Sequence, residues 1–570
     1  MRATRPVAPG RRHRADVAEG SGPGDAVTLR VTAGQLSVTI RGDAVAPTEE
    51  ALDRLTYDGV PAALMAGNAG LWGPDAAGRA AGRLGWVNAP ETSRRLLPEL
   101  SEAARRFAGL DRVVLVGTGG AVRAAEIVAR AHGADLTVLD GADPQEARRV
   151  LDDRPDRTGL VVPDASGRSI EADALRRIFE HAFRAAGAGP AERIVVVTDP
   201  GSPLEATAKE LGYRVVPSDP EMNDRFGALS AAGLLPAALC GVDVERLLQE
   251  AAAVLPALRL PYDNAGLALG AALGAAATHG RDKLIIAEGD GELPGLGGWV
   301  EQLVAAVTGK DGKGLVPVVL EDPAAPGAEA AGDRLPLILG GRSGGTAPDT
   351  GLAVAGPLGA QLALWQFAVA VAARVIGVDP FDEPALRETH TAVAALLRGT
   401  GDGTAPTPVA GEPALVDGDV EVHGPAELFH GVKDLRGALD AVLRAVPERG
   451  HLAVAAHLDR VADAAAERLR PLLARRLRTA PVAFGWGPRV LHSTGQAHMD
   501  GPPGTVVLQL TGAADEDVPV PGRPYGLSAL QLAQAFGDLR ALRSRGRTAV
   551  RLHLRDRAAG LARLESALGD

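Results

Sequence analysis

Apolar runs that break into small-residue loops and then into helices dominate residues 112–243. The run at 113–116 (VVLV) breaks into Gly117-Thr118-Gly119-Gly120 and leads to a helical stretch at 121–131. A second run enters VVPDASGRSIEAD at 161–173, and a third at 194–197 ends in TDPGSP. Continuous apolar runs of this length read as strands buried on both faces, the habit of parallel sheets. In such sheets the loops gather at the carboxyl ends of the strands, where ligands bind. The helices that follow direct free N–H groups to the same place, and these suit an anion such as phosphate. A single loop of this kind could equally be a turn packing helix on strand; three in succession favour a ligand cleft.

The flanking pattern extends the picture. Residues 1–25 carry many Arg, Pro and Gly with few core positions, which predicts a disordered tail or a mis-assigned start. Alternation at 27–40 (VTLRVTAGQLSVTI) predicts a β-hairpin, and helical segments follow to 107, one of them at 92–106. After the first α/β unit, at 108–255, an Ala-rich helix is expected at 263–279. A second α/β pattern starts at 283, with a helix at 299–307, strands at 316–320 and 352–355, and a helix at 358–376. Residues 400–425 read as a surface excursion. Strands are then expected at 451–456, 481–484, 505–510 and 548–554, with helices at 461–477 and 528–542 and a short terminal helix. The expected organisation is a tail (1–25), a hairpin with helices (26–107), a first unit (108–255), a second unit (256–480) and a C-terminal α/β segment on the second unit (481–570).

Composition narrows the possibilities. A chain of 570 residues is too long for one core. Hydrophobic residues make up 46% but aromatic residues only 3%, so Ala, Val and Leu form the apolar mass. The net charge of −11, without a basic stripe, argues against a nucleic-acid partner. No apolar run reaches the ~18 residues that a membrane span requires. The basic N-terminus lacks the apolar segment of a secretory signal. The single cysteine, Cys240, excludes an intramolecular disulfide and reads as a buried structural thiol.

Several stretches together resemble the glucose-6-phosphate isomerase family, in its divergent bacterial form. RIVVVTDPGSPLEATAKELGYRVVPSDP with RFGALSAAGLLPAALCGVD resembles that family's first sugar-isomerase domain. LWGPDAAGRAAGRLGWVNAPETSRRLLPEL resembles its N-terminal helices; WVEQLVAAVTGKDGKGLVPV, VIGVDPFDEPA, LHSTGQAHMDGP and LQLAQAFGDLRAL resemble its second half. The resemblance runs in order from about residue 50 to 570. It implies an α/β fold of two sugar-isomerase (SIS-type) doubly wound parallel-sheet domains with helical extensions. It also implies aldose–ketose isomerisation of glucose 6-phosphate and fructose 6-phosphate in glycolysis and gluconeogenesis, a sugar-phosphate ligand, a cytoplasmic location and a homodimer, with no metal or organic cofactor. No His/Asp/Glu metal cluster is visible either.

Carried over residue by residue, the resemblance is uneven. Gly119 and Gly120 keep the first glycine loop, which ends in Ala121 where the family has a serine. The phosphate loop reads Asp164-Ala165-Ser166-Gly167-Arg168-Ser169. Ser166, Gly167 and Ser169 are phosphate-binding candidates, whereas Asp164 brings a negative charge and Ala165 removes a cation. Two like charges ~4 Å apart repel by about 4 kcal/mol at an effective dielectric near 20. Arg168 could restore the cation from another position. Arg225 is kept as the candidate that binds ligand and stabilises an enediolate, with a helix cap or a local ion pair as the plainer reading. Ala306 stands where the family's catalytic glutamate is implied, four residues before Lys310, and Met499 stands where its lysine is implied. Glu301 is expected to point away from that helix face. Gln361 takes a position at which the family has a His or an acid. His498 keeps the family's position as a weaker catalytic candidate, with a plain loop histidine as the alternative for it and for His492; Lys310 and Lys313 read as a solvated turn.

Three functions are open: an isomerase with impaired activity or with a base from elsewhere, a non-catalytic sugar-phosphate-binding pseudoenzyme, and an isomerase for a different sugar.

Overall fold

The computed structural model describes residues 16–18, 27–329, 331–342, 348–398, 412–490 and 494–569. The expected tail lies outside these apart from Asp16–Ala18, a short strand antiparallel to the strand Thr28–Ala33. His492 also lies outside the described residues.

Three sheets form the framework. The first has five parallel strands in the order Leu136–Leu139, Arg112–Val116, Thr158–Pro163, Ile194–Thr198, Arg214–Pro217. The chain starts at Arg112–Val116, moves to one side, then returns to the other side at Thr158–Pro163. The crevice between the loops after those two strands is therefore the switch point of the sheet. Val114, Val116, Leu160 and Val196 are fully buried, which explains the continuous apolar runs.

The second sheet contains the parallel strands Gly351–Ala355, Arg334–Gly340, Lys283–Glu288 and Val316–Val319. The hairpin Thr28–Ala33 and Leu36–Arg41 joins it, with Leu36–Arg41 antiparallel to Gly351–Ala355. The hairpin is thus part of the second unit rather than of a separate N-terminal segment. Covering that edge satisfies backbone groups that an open strand would leave unpaired.

The third sheet corrects the expected boundary at 480/481. Its strands are Leu415–Asp417, Val420–His423, Thr548–Leu554, Thr505–Gly512, His451–His457 and Val482–Trp486. His451–His457 pairs in parallel with Val482–Trp486, so the boundary passes through one sheet with its own apolar core. Leu415–His423, expected as surface excursion, contributes a hairpin to its edge; residues 399–411 lie outside the described residues. The helix expected at 461–477 shortens to Leu469–Leu477 after a 3-10 turn at Ala464–Arg468, because Pro471 is tolerated only in a first turn. The expected helix at 92–106 likewise begins as a 3-10 turn, Ser93–Leu96, and is α-helical over Leu97–Phe107.

One helix, Leu358–Ile376, is long and apolar enough to cross a membrane by length and composition, contrary to the sequence expectation. It is almost entirely buried, packed on the helices Val244–Leu258 and Ala265–Thr278. Its approach to Ala265–Thr278 depends on glycines. A Cβ on Gly266 would lie 2.5 Å from Phe367, one on Gly270 2.6 Å from the Ala368 carbonyl oxygen, and one on Gly274 2.4 Å from Val375. Gly270→Leu is therefore expected to lower unfolding stability by about 1–3 kcal/mol through overpacking; urea denaturation showing an unchanged midpoint would rule out this account of the helix pair.

Candidate active-site cleft

At the switch point lies a cleft of about 420 Å³. Its walls come from the loop 117–120, the loop 164–169, the turn Asp224–Leu229, the helix Leu296–Thr308 and the segment 383–390. The structure brings together Gly119, Gly120, Ser166, Ser169, Arg225 and Ala306. Gly167 lies behind the loop, against Leu204. His498 is not on the cleft.

The first loop requires glycine for packing. Gly119 has φ +111°, in the left-handed region, and a Cβ there would lie 2.0 Å from an Asp224 oxygen. A Cβ on Gly120 would lie 2.8 Å from the Arg225 Cα. The Gly120 N–H donates to the Asp224 carboxylate at 3.1 Å. Asp224 stands open to the cleft. Surrounding protein mass pushes its carboxyl up to about 6, with Glu383 adding to the rise and the Gly120 N–H and Arg225 opposing it. Water in the cleft screens part of that effect.

The second loop is filled by its own first residue. The Asp164 carboxylate accepts from the Ser166 hydroxyl (2.9 Å), the Gly167 N–H (2.9 Å) and the Ser169 N–H (2.8 Å). These donors make the kind of nest that binds an anion. The Ser169 hydroxyl donates to Glu171 at 2.9 Å and accepts from the Ala172 N–H, capping the helix Ile170–Ala185. Neither serine hydroxyl is committed to the cleft. Carboxylates of Asp164, Glu171, Asp219, Asp224 and Glu383 line the cleft, against the guanidinium groups of Arg168 and Arg225.

Arg225 is 6% exposed and forms an ion pair with Glu383. It also donates to the carbonyl oxygens of Ala306 (3.2 Å) and Pro380. Its guanidinium thus ties the helix Leu296–Thr308 to the 380–383 segment, in a local ion pair with Glu383. Ala306 presents a methyl group on the cleft wall, with Gln302 one turn before it. Glu301 is buried outside the cleft lining, as expected from its position on the helix.

Four sequence readings are corrected. His498 is 5% exposed in the interior, its ring centroid 5.3 Å from that of His451. Burial, with Arg547 nearby, lowers it to about 4, so it stays neutral and out of reach of the cleft. Met499 packs with Ala385, Phe536 and Leu539, so position 499 does not face the cleft either. Lys310 is not a solvated turn residue: it is 2% exposed, its Nζ donates to the Asp379 carbonyl oxygen at 2.6 Å, and burial lowers its pKa well below the usual value, with Arg225 adding to the fall. Cys240 is half-buried rather than buried, with its thiol 3.4 Å from the Asp135 carbonyl oxygen and pushed up to about 12 by burial. Among cleft residues the sequence reading missed are Glu383, His390 and Gln496, which come from distant segments. Gln496, in the STGQ stretch, accepts from the Ala385 N–H at 3.2 Å and donates to the Gly309 carbonyl oxygen at 3.2 Å. No group of three or more metal-ligating side chains occurs among the described residues.

Fold and cleft define a mixed α/β protein with parallel sheets and a ligand crevice at the strand ends. In sequence it is similar to the glucose-6-phosphate isomerases. A protein named probable glucose-6-phosphate isomerase from Haloarcula marismortui is 32% identical over 248 residues, 42% of this chain and 56% of that protein. The glucose-6-phosphate isomerase of Rubrobacter xylanophilus is 32% identical over 256 residues, 41% of this chain and 58% of that protein. The chain thus spans little more than half the length of these relatives. The crystal structure of a glucose-6-phosphate isomerase from Chlamydia trachomatis shares the fold, with a TM-score of 0.53 at 17% identity over 66% of this chain and 90% of that one. No family model matches the chain.

The buried Glu301 gives a pH signature. Burial pushes its carboxyl up to about 7 against the pull of Arg123. A carboxyl raised on folding contributes stability that is fully present below its unfolded value of ~4.3 and is lost as pH rises through 7. Glu301→Gln is therefore expected to gain stability relative to the parent, by about 1–3 kcal/mol, between pH 4.5 and 7.5. A difference that stays constant across that range in denaturant titrations would refute the assignment.

Proposed function

We propose that the protein is a glucose-6-phosphate isomerase-like sugar-binding protein in which efficient proton transfer has been lost. The observation that carries this reading is the Asp164 carboxylate lodged in the loop whose N–H and hydroxyl groups would otherwise face a phosphate. An incoming dianion meets a filled nest and a cleft rich in carboxylates. Ala306 adds to the loss, because a methyl group cannot move a proton between two carbons. Removing a general base costs about 10²–10⁴-fold in rate.

A second reading is favoured by Asp224. Its carboxyl, raised to about 6 and open to the cleft, has the properties of a general base near neutral pH. In that case the chain is an active isomerase with a relocated base, and its substrate is a sugar less charged than a hexose phosphate.

A coupled assay converting fructose 6-phosphate to glucose 6-phosphate decides between them. Alongside the Rubrobacter relative, the protein is expected to turn over at least about 100-fold more slowly. Equal turnover would overturn the proposal. Any activity, on this sugar or on neutral ketoses, that Asp224→Asn removes in a protein still folded by circular dichroism would establish the second reading.

A further inference from the structure

On the far side of the 164–169 loop lies a second pocket, of about 370 Å³. Asp164, Arg168 and Ser169 border both cavities, but the charge around them reverses. Four arginines line the second pocket: Arg168, Arg176, Arg177 and Arg523. Two carboxylates face them, and one of these, Asp164, is engaged by its own loop.

The other carboxylate, Asp173, is shared. It accepts from Arg176 Nη2 at 2.9 Å, from Arg177 Nε at 2.9 Å and from Arg523 Nη2. Arg176 also donates to Glu180 at 2.8 Å, yet its buried Nε has no hydrogen-bond partner although the residue is only 3% exposed. The exposed guanidinium of Arg168 has no ion-pair partner among the described residues. Three guanidinium groups around one carboxylate leave donors in excess, and guanidinium forks match phosphoryl oxygens. The first turns of two helices, Ile170–Ala185 and Pro203–Leu211, form the remaining wall, with their positive ends toward the pocket.

We propose that this arginine pocket binds a phosphoryl group, either inorganic phosphate or the phosphate of a small ester. The position is set by two chain regions far apart in sequence. Arg176 and Arg177 come from the helix after the loop, whereas Arg523 and Tyr525 come from the segment before the helix Leu527–Ser544. The site therefore joins the first unit to the third. It does not depend on whether the cleft is catalytic.

The test uses the full-length protein in thermal-shift and calorimetric titrations with inorganic phosphate, glucose 6-phosphate and glucose, at constant ionic strength. Phosphate or glucose 6-phosphate is expected to raise the melting temperature, and glucose is not. A shift with inorganic phosphate identifies free phosphate as sufficient; a shift with glucose 6-phosphate alone identifies the ester. Arg523→Gln and, separately, Arg177→Gln are expected to weaken the binding at least tenfold while circular dichroism remains that of the parent. Arg523 is partly exposed, so its replacement leaves the fold intact even if Arg177→Gln does not. No stabilisation by either anion, or stabilisation that survives Arg523→Gln unchanged, would overturn the assignment. Asp164→Ser separates this site from the cleft: new phosphate binding that appears only in that variant places the anion in the cleft nest and also overturns it.

Discussion

The amide groups that follow the strand Thr158–Pro163 must be satisfied, and the chain satisfies them with its own carboxylate. Asp164 takes two N–H groups and a hydroxyl, and the loop closes around it with Gly167 at φ +65°. Charge-assisted bonds of this kind are about twice as strong as neutral ones. An external anion competing for those donors must displace a group that is always present. The same carboxylate then contributes to the negative lining of the cleft, so one residue alters both the geometry and the potential of the site. The hydroxyl of Ser169 is drawn off toward Glu171, which in turn accepts from Gln534 Nε2 at 2.6 Å on a helix of the third unit.

That last contact belongs to a wider joint between the first and third units. Arg489 donates to Glu126 at 2.8 Å and pairs with Asp140, while Arg460 lies 3.3 Å from Glu126 and 3.5 Å from Glu146. Arg557 pairs with Asp143 at 2.8 Å, which also accepts from Gln531 Nε2 at 2.9 Å. These groups are largely buried, so losing one partner would leave a charge uncompensated, a far larger penalty than breaking a surface pair. Burial works against ionisation of Glu126, but Arg489, Arg460 and Arg123 hold it well below the usual carboxylate range. The joint ties the third unit to the first close to the ends of the strands Leu136–Leu139 and Val482–Trp486.

The strand–loop–helix rhythm was legible because parallel strands buried on both faces must be apolar throughout; the predicted helix at 358–376 matches Leu358–Ile376 for the same reason. The sheet to which the N-terminal hairpin belongs was not legible, since the strand it pairs with lies about 310 residues away; nor was the sheet shared by His451–His457 and Val482–Trp486, since an apolar run does not show which neighbour it pairs with. Loop residues carried on the first unit, Gly119, Gly120, Ser166 and Ser169, fell on the cleft because local geometry places them at strand ends. His498 and Met499 were misplaced because a motif shared with a family fixes sequence position, not the direction of a side chain. Lys310 reads as a turn residue in GKDGKG, yet the loop folds inward and its ammonium finds the Asp379 carbonyl oxygen. The arginine pocket could not be read at all, as Arg523 is about 350 residues from the helix it faces.

The retained glycines carry less functional information than their motif suggests. At Gly119 and Gly120 a side chain would collide with Asp224 and Arg225, members of the turn Asp224–Leu229 that packs against the loop whether or not a ligand is present. Arg225 has a comparable structural duty, since it bridges the Ala306 carbonyl oxygen and Glu383. A chain that lost its chemistry would still need these residues to close the walls of the crevice. The side chain at 306 has no such duty, whereas Asp164 holds its loop closed. A methyl group lines the helix wall at 306, and the carboxylate at 164 accepts from the Ser166 hydroxyl and the Gly167 and Ser169 N–H groups. On the proposed reading, the walls of the crevice persist because they pack against one another, while the methyl group at 306 leaves that wall without a base.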